Sequence, residues 1–398
     1  MKGHGNIFQS GVFYPLRPDV ACGLLRGPAG KTYHLISIHY EGIDLSRRLF
    51  TVGPVEVFPD TLDSMNRGMM VHRGKDYQDL QHGVVEKLRK MLDTDMEVYL
   101  APASASGFME GCVRSAVETK MAGLSNGSFG DRWQLIGQEN GKQVQRINVE
   151  WGKALRKAHV AGKLEEDVEA VTVISNESST GVLNPIPEIV EGVREQGDAL
   201  IMVDGVTSVG AVDLQLRKLD PDALVFGSQK ALALPPGLAV VCASPRLMER
   251  AAKVKNRGYY LDLIKYKKMA DKDLPLTTPP VSLMYGLDHQ LDKILKEGVQ
   301  NRYARHQRMA EMVRDWAAKR LGLYAEEGFR SNTITVIQLK GMDFKDFDRR
   351  LRQKGFEISP GYGSVKDETF RIGHMGDLTE RDMQDLLNVM DEVMEEMK

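Results

Sequence analysis

The stretch Asp220–Gly237, DPDALVFGSQKALALPPG, decides how the chain is read. Ala223 to Phe226 is an unbroken apolar run, the pattern of a strand buried on both faces. It breaks at Gly227, and Ser228, Gln229 and Lys230 follow before Ala231–Leu234 and a Pro-Pro-Gly turn. The lysine therefore stands just beyond the end of a core strand, and in open α/β sheets ligands bind outside the carboxyl ends of the strands. Most lysines at a strand-to-loop turn are solvated surface residues. One held there partly desolvated can instead form a Schiff base with an aldehyde.

Working outward, similar apolar runs recur at Glu97–Ala101, Val171–Ile174, Leu200–Val203 and Leu238–Cys242. Helical spacing separates several of them, as in Gly107–Met121 and Ile186–Glu195. Unbroken apolar strands alternating with helices predict an α/β domain built on a mostly parallel sheet covered by helices. Beyond Pro280 the pattern changes. Val281–Leu295 and Val299–Leu321 read as long helices. Thr333–Leu339 and Thr369–Ile372 read as strands, with helices at Phe344–Lys354 and Thr379–Met397. The expected organisation is a large domain over residues 49–295, whose first residues can contribute to a smaller α+β domain over 296–398. Residues 1–48 are Gly-, Pro- and Arg-rich and form an extension of uncertain order, with a short strand expected at Tyr33–Tyr40 and an oligomer arm as one possible use.

Composition narrows the function. The 398 residues are 42% hydrophobic and 27% charged, which is ordinary for a globular protein. With 53 basic and 55 acidic residues the net charge is −2, which points away from nucleic-acid and membrane partners and towards a small substrate. Cys22, Cys112 and Cys242 are far apart, and there is neither a CxxC nor a Cys/His cluster. No zinc site or disulfide framework is indicated, and no metal is expected. Reduced cysteines, no apolar run near the length of a membrane helix and no secretory h-region give cytoplasmic as the expected location.

Asp204 ends the run LIMVD, at the carboxyl tip of the strand preceding that of Lys230. A turn or cap role is the alternative, because Gly205 follows and a helix can start near Thr207. Sequential strands are often neighbours. An acid and a lysine at adjacent strand tips suit pyridoxal phosphate, whose pyridine nitrogen takes an acidic partner while the lysine holds the aldehyde.

The chain resembles the class V aminotransferases of pyridoxal-phosphate fold type I, and within them alanine–glyoxylate and serine–pyruvate aminotransferases. VDGVTSVGAVDL and FGSQKALALPPGLAVV carry the likeness. TVGPVEVFPDTLDSMNRGMMVHRGKDY, ASASGFMEGCVRSAV, SNGSFGDRW, SNESSTGVLNPI, LTTPPVSLMYGL and FRIGHMG continue it in order over residues 49–398. The resemblance implies a seven-stranded, mostly parallel sheet. It makes Lys230 the Schiff-base lysine and proton shuttle, and Asp204 the partner of the pyridinium nitrogen. Phe129 would stack on the ring and Ser179 would lie near its phenolic oxygen. Ser104, Ala105 and Ser106, at a helix start, would cradle the phosphate with backbone amides, and Gln229 would reach it too. The family usually has glycine near Ala105. Thr278 would add a phosphate contact from the partner subunit of a homodimer that shares its sites. Arg371 would clamp the substrate α-carboxylate with its planar guanidinium.

The activity so implied is a ping-pong transfer of the amino group of alanine or serine to glyoxylate or pyruvate. Aspartate or phosphoserine is the second choice of donor. A desulfurase- or lyase-type relative is a further alternative, but no cysteine follows Cys242 and Gln229 stands where desulfurases carry histidine. A nicotinamide-dependent oxidoreductase would need a GxGxxG turn, and none occurs.

Overall fold

The computed structural model describes residues 47–398 in full, together with the backbone of two strands before them, Asp19–Arg26 and Thr32–His39. These two pair antiparallel as a hairpin, with Asp19 opposite His39 and Arg26 opposite Thr32. The second covers most of the strand expected at Tyr33–Tyr40. The arm role considered for the extension otherwise falls outside the described residues. Residues 48–398 form one compact unit.

Seven strands build the main sheet. Their spatial order is Glu97–Ala101, Ala239–Ala243, Ala223–Gly227, Leu200–Asp204, Ala170–Ile174, Lys120–Ser125 and Gln143–Asn148. All run parallel except Ala239–Ala243, which is antiparallel to both neighbours. The reversal follows from the Pro235–Gly237 turn, which sends the chain back beside the strand it has just left. Every residue of the four strands between Ala170 and Ala243 is buried, as helices on both faces require.

The expected helix over Gly107–Met121 is too long. The helix Ala105–Ala116 stops where Val117 turns extended, and Met121 lies in the strand Lys120–Ser125. The turn is fixed from a distance: the Glu169 carboxylate accepts from the amides of Glu118, Thr119 and Lys120 at 2.7, 2.8 and 3.2 Å. No helix begins near Thr207 either. Residues 206–211 form turns, and the next helix is Leu216–Leu219.

A second sheet of four strands has the order Ile334–Gln338, Thr369–Gly373, Phe356–Pro360, Arg48–Phe50. The last pair is parallel. Residues 48–50 thus complete the sheet of the C-terminal region. Helices Val299–Arg320, Phe344–Gln353 and Glu380–Glu396 bury a core of their own against it, including Phe50, Phe347, Phe370 and Met383. No helix among the described residues is long and apolar enough to cross a membrane.

Candidate active site

At the carboxyl end of the main sheet lies a cavity of about 210 Å³. Ser104, Ala105, Ser106, Phe129, Asp204, Gln229 and Lys230 all line it. Seven of the residues singled out from sequence, from four separate segments, therefore share one wall.

Parallel register sets the central pair. Asp204 is opposite Val225, so the Lys230 loop emerges beside the tip that carries Asp204. The loop is pinned: Ser228 N donates to Leu238 O at 3.0 Å, Ser228 Oγ to Pro235 O at 2.7 Å, and Ala233 N to Lys230 O at 2.8 Å. Lys230 Nζ donates to the Val52 carbonyl. Gly53 follows with φ +127°, and a Cβ there would collide with the Lys230 amine, so the segment passes over the lysine only as glycine. Burial, then the Arg371 charge, lowers the Lys230 pKa to about 8, against an opposing pull from Asp204. An amine so placed is neutral more often than a solvated lysine, as condensation with a carbonyl requires.

Asp204 is buried and its pKa is pushed up to about 6 by desolvation. Two donors hold the charged form against that push: Val206 N at 2.9 Å and Trp133 Nε1 at 3.3 Å. Trp133 comes from the SNGSFGDRW motif but was not singled out from sequence. Its signal was spacing, since it sits four residues after Phe129 on one helix face.

The helix Ala105–Ala116 starts at the cavity. Ser104 occupies the N-cap in extended conformation, yet its side chain bonds none of the helix amides. The terminus keeps amides and dipole available for an anion. Cofactor fit can be judged on these features. The acid, the amine of lowered pKa and the open helix terminus match the pyridine nitrogen, aldehyde and phosphate of pyridoxal phosphate respectively.

Phe129 is set by a group that sequence reasoning passed over. Glu177 is fully buried, and its carboxylate accepts from Phe129 N at 3.1 Å and Gly130 N at 3.0 Å, at the start of helix Ser128–Glu139. Burial, with Asp204 nearby, raises its pKa. Glu177 also takes the Ser179 hydroxyl at 2.6 Å, while Ser179 Oγ accepts from Ser128 N at 3.0 Å. The hydroxyl anticipated at the ring's phenolic oxygen is thus engaged within the protein, and its neighbour Ser178 lines the cavity. The Phe129 ring stacks on Tyr362, with centroids 5.4 Å apart and planes 9° off parallel.

Arg371 lies in the middle of the second sheet, 7% exposed. Its Nε donates to Pro360 O at 2.9 Å and its Nη1 to Ser178 O at 3.2 Å, which brings it to the cavity wall. Its Cζ stands 5.2 Å from the Tyr362 ring. It forms no ion pair among the described residues, and burial lowers its pKa to about 10. Thr278 is exposed and does not line this cavity. His374 is buried and bonded to Thr335 and Asn332.

The family model described as Aminotransferase class-V matches residues 128–384. The chain is 36% identical over 352 residues to an uncharacterized aminotransferase of Methanocaldococcus jannaschii, covering 86% of this chain and 91% of that protein. It is 30% identical to the serine–glyoxylate aminotransferase of Arabidopsis thaliana, covering 83% and 86% respectively. Among solved structures, alanine–glyoxylate aminotransferase from Nostoc sp. superposes with a TM-score of 0.83 at 27% identity, over 90% of this chain and 98% of that one. The chain belongs to the class V aminotransferases, pyridoxal-phosphate-dependent transaminases of fold type I.

Proposed function

We propose that the enzyme moves the amino group of a small amino acid, alanine or serine, to glyoxylate or pyruvate. The observation that carries this reading is Arg371: a buried guanidinium with no acidic partner among the described residues, beside the wall that holds Lys230. A buried unpaired charge is costly, and a substrate α-carboxylate would neutralise it. The serine and alanine specificities named for the two relatives above support the choice of donor.

Pyridoxal phosphate supplies an electron-accepting ring. The remaining work falls to side chains of this protein. Asp204 would hold the ring nitrogen by its negative charge, and Phe129 would hold the ring by stacking. Lys230 Nζ, with its pKa lowered to about 8, would take the proton from the donor's α-carbon and hold it for return. Arg371 orients the α-carboxylate so that the α-proton faces Lys230. The enzyme acts in the cytoplasm as a homodimer, with Thr278 of each chain reaching the other chain's phosphate site.

A donor with an acidic side chain is the second reading, favoured by Arg132, a cavity residue that also lacks an acidic partner among the described residues. A donor screen by half-reaction decides between them. Each amino acid is added alone to the loaded enzyme, and its oxo-acid product is measured. Alanine and serine should turn over fastest. Preference for aspartate, glutamate or phosphoserine would replace the first reading with the second, and no product from any donor would remove both.

A further inference from the structure

Of the residues that line the cavity, two are cations: Lys230 and Arg132. The class V chemistry uses Lys230. Arg132 is the fifth residue of helix Ser128–Glu139 and is half-buried. Its Nη1 donates to Ser106 Oγ at 3.4 Å, and its Cζ stands 4.8 Å from the centre of the Phe129 ring. It forms no ion pair among the described residues, although acids are plentiful in the chain. Its charge also acts on both Asp204 and Lys230.

We propose that Arg132 binds the phosphate ester of the cofactor, completing the cradle begun by the helix Ala105–Ala116. The inference rests on the class V reading of the cavity. Three observations place the anion at this end. Arg132 already touches Ser106, in the first turn of that helix. Its other contact is the aromatic ring of Phe129, which leaves donors of the guanidinium fork unused. Arg371 bonds instead to the carbonyls of Pro360 and Ser178, and to no residue of the helix start. A phosphate ester carries up to two negative charges, whereas a helix terminus offers about half a positive one. A planar guanidinium supplies the rest and can bond two phosphate oxygens at once. Because Arg132 also lies over Phe129, one residue would couple the phosphate to the aromatic ring that fixes the cofactor plane.

The test compares two aldehydes that differ only in the phosphate. Cofactor-free wild-type protein, Arg132→Gln and Arg132→Lys are titrated with pyridoxal phosphate and with pyridoxal, and binding is followed by visible absorbance. Arg132→Gln should weaken pyridoxal phosphate roughly ten- to a hundredfold, the scale of a lost hydrogen bond to a charged group. It should leave pyridoxal unchanged. Arg132→Lys should recover part of the loss, which also shows that the site is folded. Equal weakening of both aldehydes would mean that Arg132 serves only to brace Phe129, and the proposal fails. Unchanged binding of both, with a raised KM for aspartate or glutamate alone, assigns Arg132 to the substrate side chain and also overturns it. Failure of the wild type to bind either aldehyde strikes the cofactor reading itself.

Discussion

Trp133 donates its indole N–H to the Asp204 carboxylate across 3.3 Å, so the helix that carries Phe129 also steadies the acid at the neighbouring strand tip. Trp133→Phe removes this donor and leaves the burial of Asp204 in place. Loss of a hydrogen bond to a charged group costs about 1.5–3 kcal/mol, and the long contact argues for the lower end. The Asp204 titration should move up by roughly one unit. Proton release from the cofactor-free variant, compared with wild type across the acid range, reads this shift; coincident curves would remove Trp133 from any role in holding the charge.

Asp204 also makes the stability of the cofactor-free protein depend on pH. Its pKa rises from 3.8 to about 6 on folding, so the folded state holds the proton more tightly between those values. The stabilisation is complete below about pH 4 and is lost as the pH climbs through 6. Relative to Asp204→Asn, wild type should therefore lose stability as the pH rises over that window in urea denaturation. Parallel curves for the two proteins would contradict the shift.

Arg371→Gln should raise the KM of α-amino acid donors strongly. Truncating one partner of a buried charge pair costs about 2–5 kcal/mol. Simple amines without a carboxylate should react no worse than with wild type. A variant that loses amine and amino-acid turnover alike would show that Arg371 holds the fold and not the substrate.

Gly53→Ala places a methyl group where the Lys230 amine lies, at a φ of +127° that alanine avoids. Such backbone strain costs of the order of 1–3 kcal/mol. The variant should melt lower and should also yield less covalent adduct at Lys230 after borohydride reduction in the presence of pyridoxal phosphate, as read by mass spectrometry. A lower melting point with full adduct would mean that the segment can move off the lysine.

The residues legible in the sequence were those whose chemistry and position coincide. Lys230 and Asp204 each end an unbroken apolar run, and a parallel register places such ends together. Two strands of the main sheet escaped notice. Lys120–Ser125 was absorbed into the preceding helix, because the stop at Ala116 is imposed by Glu169, some fifty residues away. Gln143–Asn148 is an edge strand with mostly polar residues, so its apolar signal is weak. Glu177 and Arg132 lay inside quoted motifs but drew no attention. A glutamate that accepts two amides of a distant helix and an arginine that touches a serine of another helix are facts of tertiary packing, and no local periodicity encodes them.

The placement of strand Glu97–Ala101 has a consequence for how the enzyme matures. This strand leads into the helix at the cavity, yet its only neighbour in the sheet is Ala239–Ala243. During synthesis, the chain must be made well past residue 243 before the strand has a partner, and up to Gly373 before Arg371 reaches the wall. The helix start therefore cannot settle over the lysine loop in a partial chain. Cofactor capture thus belongs late in folding, and retention of bound pyridoxal phosphate would report that the strand leading into the cavity helix has found its partner.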